Sequence, residues 1–475
     1  MEMTDMLWNI IRTELEDVVG VENVNQEKAD ILTHGHDGCW LTTQYVAKGI
    51  TPTLPWIVVR PSSTQEVSRV LQICNYYKVP VVPYGGGSGS QGGIMPVVSG
   101  VSIDMKRMNK VIEIDEYSRT VTVEAGMNFQ QLEWRVNELG FSTMHIPSSI
   151  TCSTVGGFIA HNGIGVLSTK YGKIDDMCIW LEVVIPDGTV MQTSPVPKHS
   201  SGPYLKDIFI GSEGTFGIVT KAKFRLFMLP EKRIFHAYLF KDLTSAMKAG
   251  RDMVHECKPS ILRLYDETET KSVIKEVVGM EKPGVFLNMA VEGNERIADI
   301  EHEIASEICC ERYGAEDMGE EWGRKWWDRR VTFFYPGHAF NYPKMFGTMD
   351  TISTYDKIES IYWAMKEAIE TNFPIARFIA HFSHWYDWGC MMYDRFIIEQ
   401  APEDPMEALR LHNQIWKLGV RTALAHGGML NDHHGVGIKL GGLMKEQYGS
   451  SMLIFNGLKH LFDPNGIMNP FKMGV

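Results

Sequence analysis

Excess positive charge is the first thing this 475-residue chain lacks: 46 Lys and Arg stand against 58 Asp and Glu, a net charge of −12. Nucleic acids and anionic membrane surfaces are bound through clustered basic side chains, so neither is an expected partner. Long apolar runs are missing as well, and none approaches the ~20 residues that a membrane-spanning helix needs. The first residues, MEMTDMLWNIIRTELEDVV, are acidic and amphipathic instead of basic and then apolar. They do not read as a secretory leader, and a cytoplasmic location is expected. Cysteine is scarce: eight residues, at 39, 74, 152, 178, 257, 309, 310 and 390, form no CxxC pair. A disulfide scaffold is excluded and reduced thiols are expected.

What is present is the composition of a globular protein, 44% hydrophobic and 22% charged, which leaves disorder no main role. The length exceeds what one hydrophobic core supports and implies two or three domains. The 27 methionines read as soft filler around a large cavity for a cofactor or substrate. A small-molecule substrate fits this balance of charge and bulk.

Along the chain, WIVVR at 56–60, the capping-box-like SSTQEVSRVLQICNYYK and the apolar VPVVP predict a strand, helix, strand unit. The second strand empties into GGGSGSQGG at 85–93, backbone suited to close approach by a ligand and unsuited to regular structure. Strands follow in VSIDM and VIEIDEYSRTVTVEAG, then a helix in NFQQLEWRVNELG. A second loop-rich stretch, TCSTVGGFIAHNGIGVLSTKYG at 151–172, is long enough to suggest function. IWLEVVIPDGTVMQT is a hairpin with a Pro-Asp-Gly-Thr turn. After residue 228 helical spans such as LTSAMKAGRDMVHEC and YDKIESIYWAMKEAIETN alternate with strands such as GVFLNMAVEG. The aromatic cluster Trp322, Trp326, Trp327, Phe333, Phe334 and Tyr335 reads as core of this part, and an aromatic substrate stays open beside it.

GSGSQG at 87–92 formally matches the dinucleotide fingerprint GxGxxG. A nicotinamide site would need the loop to open a helix and to meet an acidic residue ~20 positions on. Here it runs into IMPVVSG and another strand. The chemistry left for the loop is a phosphate cradle, because glycines let several backbone N–H groups converge with no Cβ in the way.

Four motifs in order, PYGGGSGSQGG, PSSITCSTVGGFIAHNGIG, YGKIDDM and GSEGTFGIVTKAKFRL, resemble the FAD-binding signature of the vanillyl-alcohol oxidase / p-cresol methylhydroxylase flavoproteins. The tail DPNGIMNP resembles members with the glycolate oxidase or D-lactate dehydrogenase type of C-terminal cap. The fold this implies is α+β. A two-lobed FAD-binding domain occupies 1–228, with lobes at about 1–112 and 113–228, a cap with an antiparallel sheet covered by helices occupies 229–429, and 430–475 returns to the FAD domain. By the same resemblance Pro83, Gly85, Gly86, Gly87, Ser88 and Gly89 hold the cofactor in the first lobe. Pro147, Ser148, Ser153, Thr154, Gly156 and Gly157 line it from the second, Glu213, Gly214 and Ile218 sit near its ribityl and adenosine portions, and Asn469 joins from the tail. Some members attach FAD covalently through a histidine of the glycine loop; positions 85–93 contain none, so non-covalent FAD is expected.

Within the family SSGPYLKDIFIGSEGT, SILRLYD, HFSHWYDWG with MMY, and DHHGVG resemble alkylglycerone-phosphate synthase. That resemblance gives Arg263 to an anionic substrate group and places Tyr393, His433 and His434 around the reacting carbon. The synthase pattern has three histidines before GVG, whereas Asp432 stands first here, and a carboxylate near a phosphate repels it. On residue chemistry alone a His-His pair in a glycine loop suits a general base, since imidazole titrates near neutral pH. His381 and His384 are secondary candidates, and Asp266 is a ready carboxylate partner for Arg263 should that arginine be structural. Zinc-binding relatives carry HxGDGNxH, which HFSHWYDWGCMMY lacks, so no metal is expected. The reading is an FAD-dependent oxidoreductase. It would oxidise a hydroxyl-bearing small molecule, a 2-hydroxy acid or related alcohol, by hydride transfer to flavin N5. Oxygen, a quinone or an electron-transferring flavoprotein would be the acceptor. A redox-neutral transferase using a flavin N5 adduct and a non-catalytic flavoprotein subunit are the alternatives, and the cap leaves surface for a homodimer.

Overall fold

A computed structural model describes residues 5–39, 49–50, 53–330 and 344–475; Phe333, Phe334 and Tyr335 lie outside them. The helix Thr64–Tyr77 begins where the Ser63 hydroxyl accepts the Glu66 N–H at 3.2 Å and the Glu66 carboxylate accepts the Ser62 N–H at 2.7 Å. These bonds satisfy amide groups that a helix start leaves without partners. Val67, Val70, Leu71 and Cys74 recur on one face and are buried. The strands Ile57–Val59, Val101–Asp104 and Val81–Tyr84 pair in parallel in that order, with Val24–Asn25 antiparallel at the edge. Strand Val81–Tyr84 runs straight into the glycine loop.

A second sheet is antiparallel, in the order Val111–Asp115, Thr120–Glu124, Ile218–Arg225, Cys178–Val184, Val190–Gln192. Ile218, Thr220, Ala222 and Phe224 are buried while the residues between them are not, the period of two that a half-covered sheet imposes. Its core packs Phe129 against Phe158 and Phe224, with ring centroids 5.2 and 6.1 Å apart.

The third sheet has eight strands, ordered Glu316–Gly319, Lys232–Phe240, Val285–Gly293, Ile261–Tyr265, Arg377–Tyr386, Gly389–Ile398 and Met345–Thr348, with Thr351–Thr354 also on Gly389–Ile398. Helices Leu243–Glu256, Glu295–Ser306, Tyr355–Asn372 and Pro405–Ala425 bury one face around Phe378, Phe382 and Trp385. The opposite face packs Phe235, Ile261, Tyr265 and Phe286 with Met144 and Leu167 of the preceding half of the chain. There Trp326 is buried and donates its indole N–H to the Tyr265 hydroxyl at 2.8 Å. The architecture is the α+β one expected, and all eight cysteines are free. Among the described residues no helix is long and apolar enough to cross a membrane.

The chain end returns to the first sheet. Val81 N–H donates to Ile467 O and Asn469 N–H to Val81 O, both at 2.7 Å. The turn before this contact is held by Asp463, whose carboxylate accepts from Ile467 N (3.0 Å), Met468 N (2.8 Å) and Lys459 Nζ (2.7 Å). Asp463→Ala leaves two buried amides without their acceptor and removes the carboxylate beside Lys459, whose ammonium keeps the Thr215 and Met468 carbonyls. It is expected to lower the unfolding free energy by about 2 kcal/mol in denaturant titration and to speed cofactor loss on dilution.

Candidate active site

Where the first two sheets meet the returning tail, the glycine loop, the 153–161 and 209–219 segments, His434, Gly437 and Asn469 enclose about 1030 Å³ of space, its mouth included. Pro83, residues 85–89, Ser153, Thr154, Gly156, Gly157, Glu213, Gly214, Ile218 and Asn469 all line it. Pro147 and Ser148 do not; the Pro147 carbonyl closes a turn onto Ile150 N at 3.1 Å. At Gly86 a Cβ would overlap the Cys152 carbonyl, so the glycine lets the two loops touch backbone to backbone. Asp37, Gln91 and His161 also line the cavity without having been singled out from sequence. His161 stood inside a quoted motif; Asp37 stood in none.

Glu213, which lines the cavity, also serves a distant loop. Burial pushes its carboxyl up to about 7, and the carboxylate accepts the N–H groups of Val436 and of Gly437, the latter at 2.7 Å. It fastens the loop that carries His433 and His434. The Asn469 amide donates to Gly93 O (2.9 Å) and Glu213 O (2.7 Å).

Beside the cavity lies a polar chamber built by the cap sheet. Strand alternation sends Leu262, Leu264, Phe382 and Met392 into the helix-covered core and Arg263, Tyr265, His381, Tyr393 and Arg395 to the other face. Cross-strand register agrees, with Tyr265 opposite His381 and His381 opposite Tyr393. His381 and Tyr393 stack at 4.8 Å, and Glu269 holds both His381 (3.1 Å) and Arg395. A β-bulge falls between Ser383 and Trp385. The extra residue is His384, at φ 57°. The bulge flips Trp385 into the core and aims His384 at the chamber, as bulges beside sites commonly do.

His384 Nε2 lies 3.4 Å from Arg263 Nη2, and its Nδ1 lies 3.7 Å from Asp432 Oδ2. His433 Nδ1 lies 3.4 Å from Asp432 Oδ2 and 3.1 Å from Asp350 Oδ2; His434 Nδ1 lies 2.9 Å from the same Asp350 oxygen. These ring contacts are short but off the N–H direction, ion pairs more than aligned hydrogen bonds. Asp350 was not read from sequence, for nothing in GTMDT marks it. Burial depresses the His433 imidazole, but Asp350 and Asp432 outweigh burial and bring it up to about 9. His434 stays below its ordinary value through burial and the His433 charge, and burial takes His384 down to about 3. Lys173, from the YGKIDDM motif, reaches the Asp432 carbonyl and lies 3.5 Å from its Oδ1, and Tyr386 donates to Oδ1 at 3.0 Å. Thus Arg263, Tyr393, His433 and His434 share the chamber, and of these His434 also lines the cavity.

Residues 55–194 match the FAD binding domain family, and residues 229–473 match the C-terminal domain of the FAD linked oxidases. The uncharacterized FAD-linked oxidoreductase YgcU of Escherichia coli is 32% identical, over 88% of this chain and 89% of its own. The chain belongs to the FAD-linked oxidases. Similar proteins include alkyldihydroxyacetonephosphate synthase of Trypanosoma brucei brucei (28% identity, 97% of this chain, 80% of that one) and glycolate oxidase subunit GlcD of Bacillus subtilis (28%, 98% and 97%). A solved alkyldihydroxyacetonephosphate synthase superposes with a TM-score of 0.83 at 25% identity, over 99% of this chain and 86% of that one. p-Cresol methylhydroxylase, at 18% identity and a TM-score of 0.80 over 100% and 98%, shares the fold.

This FAD-linked oxidase binds FAD and is a flavin-dependent enzyme. The cavity suits the cofactor: one wall is the glycine loop, whose backbone would cradle phosphates, and Gln91 and Asn469 line it with their buried Oε1 and Oδ1 lacking a hydrogen-bond partner among the described residues. Buried acceptors of that kind call for donors, which the hydroxyl and amino groups of FAD provide. With no histidine in the glycine loop, acid precipitation of the purified FAD-linked oxidase should release all yellow colour into the supernatant. Colour kept in the pellet would overturn the non-covalent reading.

Proposed function

We propose that this enzyme oxidises a small hydroxyl-bearing anion, most simply a 2-hydroxy acid, with Arg263 gripping the anionic group and the His433–His434 pair accepting the hydroxyl proton. The observation that carries this reading is the state of Arg263. Among the described residues it makes no ion pair; its polar contact is His384 at 3.4 Å, with the Trp326 ring 5.9 Å away. Asp266, the partner that would make it structural, instead caps Glu269 N at 2.6 Å and accepts from Tyr362 (2.9 Å) and Ala380 N (3.0 Å). Burial depresses the guanidinium and the nearby Glu269 is paired with Arg395 and His381, so a cation held off water without a carboxylate of its own favours an anionic ligand.

Bound FAD supplies the acceptor for the two electrons and the hydrogen that leave the substrate carbon. The chain supplies orientation through the planar Arg263 fork, and a proton acceptor through an imidazole nitrogen of the histidine pair that is turned away from Asp350. Tyr393 packs 5.2 Å from the His434 ring and closes the chamber on that side.

The site is read as metal-free. Two groups, Asp350 with His433 and His434, and His384 with Asp432 and His433, bring their ligand atoms within 4.8 Å of one another. The Lys173 ammonium already stands against Asp432, which leaves the two carboxylates one uncompensated negative charge, less than a divalent cation would neutralise.

A redox-neutral transferase of the alkyldihydroxyacetonephosphate synthase kind is the second reading. One observation favours it: Asp432 is neutralised by Lys173 and Tyr386, so the carboxylate in place of a third histidine would not repel a phosphate. Anaerobic mixing with a panel of 2-hydroxy acids separates the two: the oxidation leaves the flavin holding two electrons and releases an oxidised product, whereas the transfer turns over with no net electron uptake and no oxidised product.

With the best substrate, Arg263→Lys keeps the charge and loses the fork, so it should raise the concentration for half-maximal reduction about tenfold or more with FAD content unchanged. An unaltered dependence rejects the anion role. Gln at His433 or at His434 should slow flavin reduction by about a hundredfold, with a smaller effect on substrate binding. Rates within twofold of the parent for both variants would move the base elsewhere, with Tyr393 the next residue to replace.

A further inference from the structure

Two carboxylates are sealed inside the histidine cluster, the side chains of Asp350 and Asp432 being 0% and 2% exposed. Among the described residues only one ammonium meets them, Lys173 beside Asp432, and Asp350 has neither Lys nor Arg as partner. A buried carboxylate without countercharge is costly. One positive charge is therefore still needed, and the three imidazoles compete for it.

Geometry separates them. His384 reaches Asp432 alone, at 3.7 Å, and its other nitrogen faces the Arg263 guanidinium, so charging it would set two cations side by side. His434 reaches Asp350 alone. His433 stands between the two carboxylates, 3.1 Å from one and 3.4 Å from the other. The His433 and His434 rings are 4.0 Å apart, too close for both to carry charge cheaply.

We propose that His433 is held as an imidazolium between Asp350 and Asp432, that His434 is in consequence the neutral base of the pair, and that Asp350 is the positioning residue that enforces this division. The proposal rests on the reading of the pair as the proton acceptor.

Asp350 does more than supply charge. Its Oδ2 also accepts the backbone N–H groups of His433 (3.1 Å) and His434 (3.3 Å), so the carboxylate sets where the loop stands as well as which ring is charged. With Nδ1 of His434 toward Asp350, Nε2 is left free at the cavity wall. The imidazolium beside it offers a fixed positive charge to the oxygen that loses its proton, a preorganised stabilisation of developing negative charge. The other groups around His433 do not disturb the assignment. His161 is kept neutral by burial, at about 4. Tyr393, 6.3 Å away ring to ring, is raised above its ordinary value by burial. The Tyr386 hydroxyl is spent on Asp432.

The experiment is a pH titration of the holoprotein with ¹⁵N-labelled histidine, read by long-range imidazole NMR correlations from pH 5 to 9.5, on the parent and on H433Q, H434Q and D350N. One imidazole should stay charged through neutral pH and deprotonate near pH 9. Its signal should vanish in H433Q, persist in H434Q, and move down by more than one pH unit in D350N. If D350N does not fold, D350E, which keeps the charge, should retain the signal. A charged imidazole that survives in H433Q or is lost in H434Q overturns the assignment, and so does one that is indifferent to D350N or missing in D350E. The underlying reading fails differently, through rapid-mixing rates that ignore both histidine substitutions while the split in charge is intact.

Discussion

A single loop is fastened by side-chain carboxylates from both halves of the molecule. From 433 to 437 every backbone N–H finds a side-chain acceptor: His433 and His434 donate to Asp350 of the cap, Gly435 to Asn431 at 3.0 Å, and Val436 and Gly437 to Glu213 of the cofactor side. Unpaired amides at that depth would each cost about 1–3 kcal/mol, so the loop has one low-energy position and the two halves must come together to define it. The register of the histidines against the cofactor cavity follows from this constraint.

The rest of the site is arranged around that fixed point. The cap sheet contributes side chains by alternation and one by exception, since the bulge at His384 turns a residue out of the alternating order and into contact with Asp432 and Arg263. The FAD-binding half contributes Lys173, whose ammonium balances Asp432. Charge around Asp432 and Glu269 is compensated in pairs, which a water-poor interior demands, while Arg263 makes no ion pair among the described residues, a state shared by the Lys439 ammonium near His434, which donates to Thr348 O. The proposed anionic substrate would answer the charge of Arg263.

Much of the fold was legible because its periods are strong. The runs around Ile57–Val59 and Val81–Tyr84 are apolar throughout and flank a capped amphipathic helix, and the alternation of Ile218–Arg225 needs no partner to be read. The glycine loop was equally plain, since six glycines in the nine positions 85–93 have few uses other than close approach to a ligand. Asp350 was not legible at all: a lone acid between two short strands carries no pattern, and its role appears only when Met345–Thr348 and Thr351–Thr354 both pair with Gly389–Ile398. Glu213 sat inside a recognised motif, yet its side chain serves the loop of a distant segment, which motif position cannot reveal.

Sequence alone determined the chemistry available: an FAD-binding scaffold with a phosphate-cradling loop, a cap, a pair of histidines near the end and an arginine suited to anions. The glycine loop and the pattern of strands and helices follow from local composition and spacing, because hydrophobic period and glycine content act through neighbours in the chain; the FAD scaffold, the cap and the role of the arginine follow from the resemblance of motifs in order. Tertiary structure alone decided how the charges are shared. Whether Arg263 is paired, which histidine stands between two carboxylates, and on which face His384 emerges depend on contacts between distant segments, such as Arg263 with His384, 121 positions apart, and His433 with Asp350, 83 apart. The energy of a buried charge is set by what surrounds it in space, whichever residues precede it along the chain.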